Sequence, residues 1–213
     1  TCTFSQILNA GFENWTNTNP DNWATNDIPG IWDVITQSPD SHTGSSAAKL
    51  EIGNAGGTPI SPILIAGVQP RYGFAVSERH GSLQGFYKYV PTTSNVVLQV
   101  VVVMYNNNHS NVVGTGLLMT NQAASSYSQF SVPISYISAE TPDTVHIQFL
   151  MADTSQAQDP ISIGTFLLID DLSFGGPTDV QSENPNPASF SLLQNYPNPF
   201  NPSTRISYSL AAH

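Results

Sequence analysis

The chain of 213 residues carries a single cysteine, Cys2, so no internal disulfide can form and no disulfide framework holds the fold. Basic residues are scarce. Five Lys plus Arg stand against fifteen Asp plus Glu, a formal net charge of -10. That balance excludes a nucleic-acid partner, which needs cations clustered on the phosphates, and it argues against an anionic membrane surface. No stretch approaches the ~20 apolar residues of a membrane-spanning helix, so no membrane insertion is expected. The most apolar run, 96–105, is short and interrupted by Gln99. No leader peptide is visible, so an exported protein would already have shed it. Helical periodicity is nearly absent, because 15 Gly and 16 Pro break any long window. Catalytic signatures are missing too. There is no G-x-S-x-G, no H-E-x-x-H, and no metal-ligand spacing among His42, His80, His109 and His146. Glu51, Glu78, Glu140 and Asp143 are scattered and offer no pair across a cleft. A non-catalytic protein is expected.

Period-two alternation fills the space that helices leave. Val145, Ile147, Phe149 and Met151 share one face of a strand, as do Phe130, Val132 and Ile134, and Ala48, Leu50 and Ile52. Further strands are read at 31–36, 61–68, 71–76, 81–90, 95–105, 112–119 and 164–174. Roughly ten strands separated by turn-rich segments predict an all-β fold, an antiparallel β-sandwich or jelly roll. The runs near 96–105 and 163–174, the most apolar, are expected in the centre and covered on both faces.

From Gly175 the composition changes to Pro, Asn and Ser without apolar periodicity, which is linker chemistry. The domains are therefore read as 1–176 (jelly roll), 177–189 (linker) and 190–213 (a tail with one extra strand). The tail runs FSLLQNYPNPFNPSTRISYSL from Phe190 to Leu210. It resembles the start of the C-terminal sorting domain of the type IX secretion system in Bacteroidetes-like bacteria. Phe190, Leu192, Gln194 to Pro202, Thr204, Ile206, Tyr208 and Leu210 carry the match. Ala211, Ala212 and His213 depart from the pattern and read as an appended remnant, and the sorting segment is expected to be truncated. The resemblance implies a secreted or outer cell-surface location, with the secretion machinery as a partner. A lone strand is unstable in water, so Thr204–Leu210 is expected to pair with a sheet edge or with a neighbouring copy.

In the body, LNAGFENW at 8–15, SHTGSSAAKLEI at 41–52, GFYKYVP at 85–91 and IGTFLLIDDLSF at 163–174 follow one another. This order resembles carbohydrate-binding-module jelly rolls of the galactose-binding-domain-like type, and within them the group named PCMD, a carbohydrate metabolism domain. The resemblance implies a polysaccharide or surface glycan as partner. It also implies that the first and last strands meet near the turn after GFE. Glu13 and Asp170, with Asp171 as second choice, would then gather with carbonyls near Thr43 and Lys49 around a structural Ca2+, which takes six to eight oxygens. The alternative is that Glu13 caps a turn and Asp170 accepts backbone amides without metal. Trp15 and Trp23 are read as core anchors. Trp32, Tyr72 and Tyr87 are candidate sugar-stacking rings, and Arg79 and His80 candidate polar contacts. Two functions remain open. One is a glycan-binding module; the other is a self-assembling extracellular protein whose tail strand completes a neighbour's sheet. A glycan-active enzyme is a further alternative.

Overall fold

The structure, a computed structural model, describes residues 7–107, 109–155 and 160–176, together with the backbone of 191–192 and 208–209. Two compact units are distinguished, Thr1–Thr178 and Asp179–His213.

The first unit is an antiparallel β-sandwich. We number its principal strands β1 (Trp23–Thr25), β2 (Ile35–Ser38), β3 (Ala47–Glu51), β4 (Ile63–Val68), β5 (Ser82–Val90), β6 (Val96–Asn106), β7 (Asn111–Thr120), β8 (Ala124–Pro133), β9 (Ser135–Tyr136), β10 (Thr144–Asp153) and β11 (Phe166–Phe174). The larger sheet has the order β9-β7-β6-β10-β4-β1. Short strands at Arg71–Tyr72 and Phe74–Ala75 pair with β4 and β10. The smaller sheet has the order β8-β5-β11-β3-β2. Neighbours in both sheets run antiparallel.

The alternation read from the sequence is what separates the layers. Leu98, Val100, Val102 and Met104 of β6, and Ile147, Phe149 and Met151 of β10, point inward. They meet Leu83 and Tyr89 of β5 and Leu167 and Ile169 of β11 in one buried core. Trp23 is 2 % exposed. It packs among Phe12, Phe74 and Phe149 at centroid distances of 5.2, 5.4 and 6.2 Å, and its indole N–H donates to the Leu8 carbonyl. Tyr89 is fully buried, and its hydroxyl donates across the sandwich to the Val96 carbonyl at 2.8 Å.

The opening and closing ribbons do meet. The Leu172 amide donates to the Ala10 carbonyl at 3.0 Å, and the Ser46 hydroxyl to the Phe12 carbonyl at 2.7 Å. One expectation is corrected. β6 is central in its sheet, but its outward residues Val97, Val101 and Val103 are only half-buried, so nothing among the described residues covers that face fully.

In the second unit, Ser191–Leu192 pairs antiparallel with Tyr208–Ser209. The described part of the predicted tail strand is thus paired within the tail itself. The linker at 177–189 and the remaining sorting-type residues lie outside the described residues.

Candidate functional site

The GFE turn, the 41–46 turn and the last strand converge as the sequence predicted. A β-bulge explains how two consecutive carboxylates reach the same turn. In a regular strand, neighbouring side chains point to opposite faces. Here the register between β5 and β11 shifts between Gln84 and Phe86, and Asp171 adopts a left-handed φ of 50°. Asp170 and Asp171 both turn toward residues 42 and 43. Asp170 Oδ2 accepts the His42 and Thr43 amides at 2.7 and 3.2 Å, and Oδ1 accepts the Asp171 amide at 2.8 Å. Asp171 binds the His42 ring at Nδ1, 2.7 Å, and accepts from the Thr43 hydroxyl at 2.8 Å. Glu13 accepts from the Ser45 amide, the Ser45 hydroxyl at 2.6 Å, and the Ser46 amide at 3.3 Å. A Cβ on Gly44 would overlap the Glu13 carboxylate, and Gly44 sits at φ 68°, so glycine is required there twice over. The Ser45 hydroxyl draws the Glu13 pKa down, whereas burial pushes that of Asp170 up against the pull of its amides.

Three carboxylates gather here, and each is engaged by N–H or O–H donors, whereas calcium needs oxygens converging on one point. Among the described residues, no group of three or more His, Cys, Asp and Glu is placed to hold a metal. Thr43 does reach the cluster, but through its amide and hydroxyl donors. Lys49 does not contribute. It lies inside β3, in register with Thr36 and Leu168, and its ammonium pairs with Glu51. The cluster is a latch that fastens the 39–46 strap onto the smaller sheet. The strap is pinned further by stacking of His42 on Phe86 at 3.6 Å and by the Lys88–Asp40 ion pair at 2.6 Å.

The candidate sugar contacts are placed on separate elements. The Trp32 indole packs against the core, and its N–H donates to the Asn26 carbonyl at 3.1 Å. Tyr72 is half-buried and accepts from the Gln69 amide at 3.0 Å. Arg79 donates to the Ser138 and Glu140 carbonyls and lies 3.9 Å over the Tyr136 ring. His80 is 5 % exposed and stacked on Phe174 at 4.1 Å, and burial holds its pKa below the usual value. Tyr87 packs against the core, edge-on to Phe130. Trp32 and Tyr87 thus pack on the core and His80 is buried against Phe174, while Tyr72 stands apart from them.

An open surface lies where a second covering layer was expected from the sequence: the outward face of the larger sheet around β6. Its register sets side chains in rows across the strands. One row is Met119, Gln99, Leu150 and Ile63; the next is Leu117, Val101, Gln148 and Ile65; a third is Ser135, Thr115, Val103 and His146. Leu117 is 58 % and Met119 52 % exposed. A groove of about 680 Å3 runs between Gln99, Val101, Val103, Thr115, Leu117, Pro133 and Ser135. A second recess of about 240 Å3 continues along Ile63, Leu150 and Ala152 to a rim at Ser61 and Asp153. Each row carries an amide, imidazole or hydroxyl among aliphatic side chains. Neighbouring polar groups lie on the order of 8 Å apart on the strand lattice. Within these rows only His146 can charge near neutral pH. Burial lowers its pKa, the Gln148 contact at 3.4 Å opposes this, and His109 adds to it.

Two facing antiparallel sheets with adjoining first and last ribbons define a jelly-roll β-sandwich. No family profile and no curated protein matches the chain. Solved structures share its fold. TmCBM61, in complex with β-1,4-galactotriose, superposes with a TM-score of 0.51 at 12% identity over 80% of this chain and 97% of that one. A proposed glycoside hydrolase from Bacteroides thetaiotaomicron VPI-5482 gives 0.50 at 17% identity over 69% of this chain, which spans 58% of that protein. The arabinose-bound MgGH51 α-L-arabinofuranosidase gives 0.52 at 11% identity, matching 83% of this chain and 27% of that one. The fold therefore occurs in carbohydrate-binding and glycoside-hydrolase proteins alike.

Proposed function

We propose that this chain is a non-catalytic glycan-binding module that works outside the cell, and that its ligand lies on the outward face of the larger sheet. The observation that carries the reading is the groove in which Gln99, Thr115 and Ser135 stand among Val101, Val103 and Leu117. Amides and hydroxyls satisfy sugar hydroxyls, and the aliphatic side chains cover the C–H faces of the rings, the usual division of labour in a ligand groove. The fold shared with TmCBM61 supports the reading. The test is affinity electrophoresis and calorimetry against a panel of soluble polysaccharides. Gln99→Ala and Gln148→Ala should weaken retardation without changing the circular dichroism spectrum. A panel without any retarded member would contradict the proposal.

The extracellular location rests on the sorting-type motif at 190–210. A reporter fused ahead of residues 179–213 and expressed in a type IX-competent host tests it: retention in the periplasm would contradict export through this segment.

A further inference from the structure

Building on that glycan-binding reading, we infer that the groove selects neutral glycans that carry methyl-bearing substituents, such as O-acetyl groups or 6-deoxy positions. Three observations lead there. First, charge: the chain bears -10 overall, yet within the described rows only His146 is ionisable near neutral pH, and burial keeps it neutral. An acidic glycan would find no Lys or Arg within these rows, while the surrounding field would repel it. Second, surface type: Tyr105 is the aromatic residue among the outward positions of β6, at one end beside His109, so the middle of the groove has no flat ring for stacking. Leu117, Met119, Val101 and Val103 offer aliphatic pockets instead. A bare hydroxyl placed against such side chains loses its water without a partner, which is costly. A methyl group placed there gains from burial. Third, spacing: Gln99 and Gln148 are single hydrogen-bonding points set between those pockets. They suit a ligand that alternates polar and capped positions.

The test uses the full chain and one matched pair of ligands, O-acetylated mannan oligosaccharides and the same mixture after alkaline removal of the acetyl groups. Calorimetry should show binding to the acetylated mixture and about tenfold weaker binding to the deacetylated one, the effect of about two buried methyl groups. Val101→Thr, nearly isosteric, and Leu117→Ser should narrow the ratio, and circular dichroism reports whether each still folds. Equal or tighter binding of the deacetylated mixture, or of polygalacturonate, overturns the inference and leaves glycan binding standing. Failure of every polysaccharide in the panel overturns both. So would light scattering that shows a dimer which Leu117→Glu dissociates, because a second copy would then occupy this face.

Discussion

Replacing Asp170 by alanine separates a metal-free latch from a calcium site. The carboxylate is fully buried and accepts three amides, two from the strap at His42 and Thr43 and one from Asp171. Each strap amide left without its charged acceptor costs about 1 kcal/mol or more, because both are partly buried. Removing the carboxylate also removes its burial penalty, which already pushes its pKa up. A net loss of about 1–2 kcal/mol remains, with the Glu13 and Lys88–Asp40 contacts still holding the strap ends. For a unit of this size that corresponds to a fall in melting temperature of about 2–8 °C. Asp170→Asn keeps one acceptor oxygen and should fall between. Thermal melts are followed by circular dichroism at pH 7 in EDTA and again in millimolar CaCl2. The wild-type melt should be the same in both. A wild-type protein stabilised by calcium, with a variant that no longer responds, would refute the latch and restore the cation that the GFE and IDD motifs suggested.

Trp23→Ala removes an indole that touches three buried aromatic rings and should cost about 3–5 kcal/mol, enough to unfold much of the protein in a denaturant titration. Tyr89→Phe deletes the hydroxyl that joins the two sheets at Val96 and should cost about 1 kcal/mol, read as a lower urea midpoint at unchanged slope. His146 gives a pH signature. Its folded pKa lies below the usual value, so the unfolded chain takes up the proton first. Its share of stability is intact above about pH 6.5 and is lost as the pH falls from there through the folded value. His146→Gln should flatten the melting temperature between about pH 7.5 and 5; an unchanged slope would show that this imidazole is not the source.

Much of the fold was readable because burial on a pleated sheet repeats every second residue. The inward sets of β3, β8 and β10 were visible in the sequence, and the GFE and IDD segments meet as their resemblance implied. Local periodicity says nothing about what lies beyond a strand. Val97, Val101 and Val103 alternate with a truly buried set, so β6 reads like a strand covered twice. Only the register, which places Leu117, Gln148 and His146 beside them, shows an open face with polar groups at intervals. The bulge at Asp171 was equally invisible, since it depends on how β11 pairs with β5. Arg79 and His80 misled for the opposite reason. Cationic and aromatic residues close in sequence suggested a cleft, but the chain spends them on the Ser138 carbonyl, Tyr136 and Phe174.

The most direct measurement is a two-dimensional amide and side-chain spectrum of the labelled protein, titrated with an O-acetylated mannan oligosaccharide. Perturbations should concentrate at Gln99, Val101, Thr115, Leu117 and Gln148, including the two glutamine side-chain amides. Perturbations confined to the 39–46 strap, or none at saturating ligand, would contradict a glycan site on the outward face of the larger sheet.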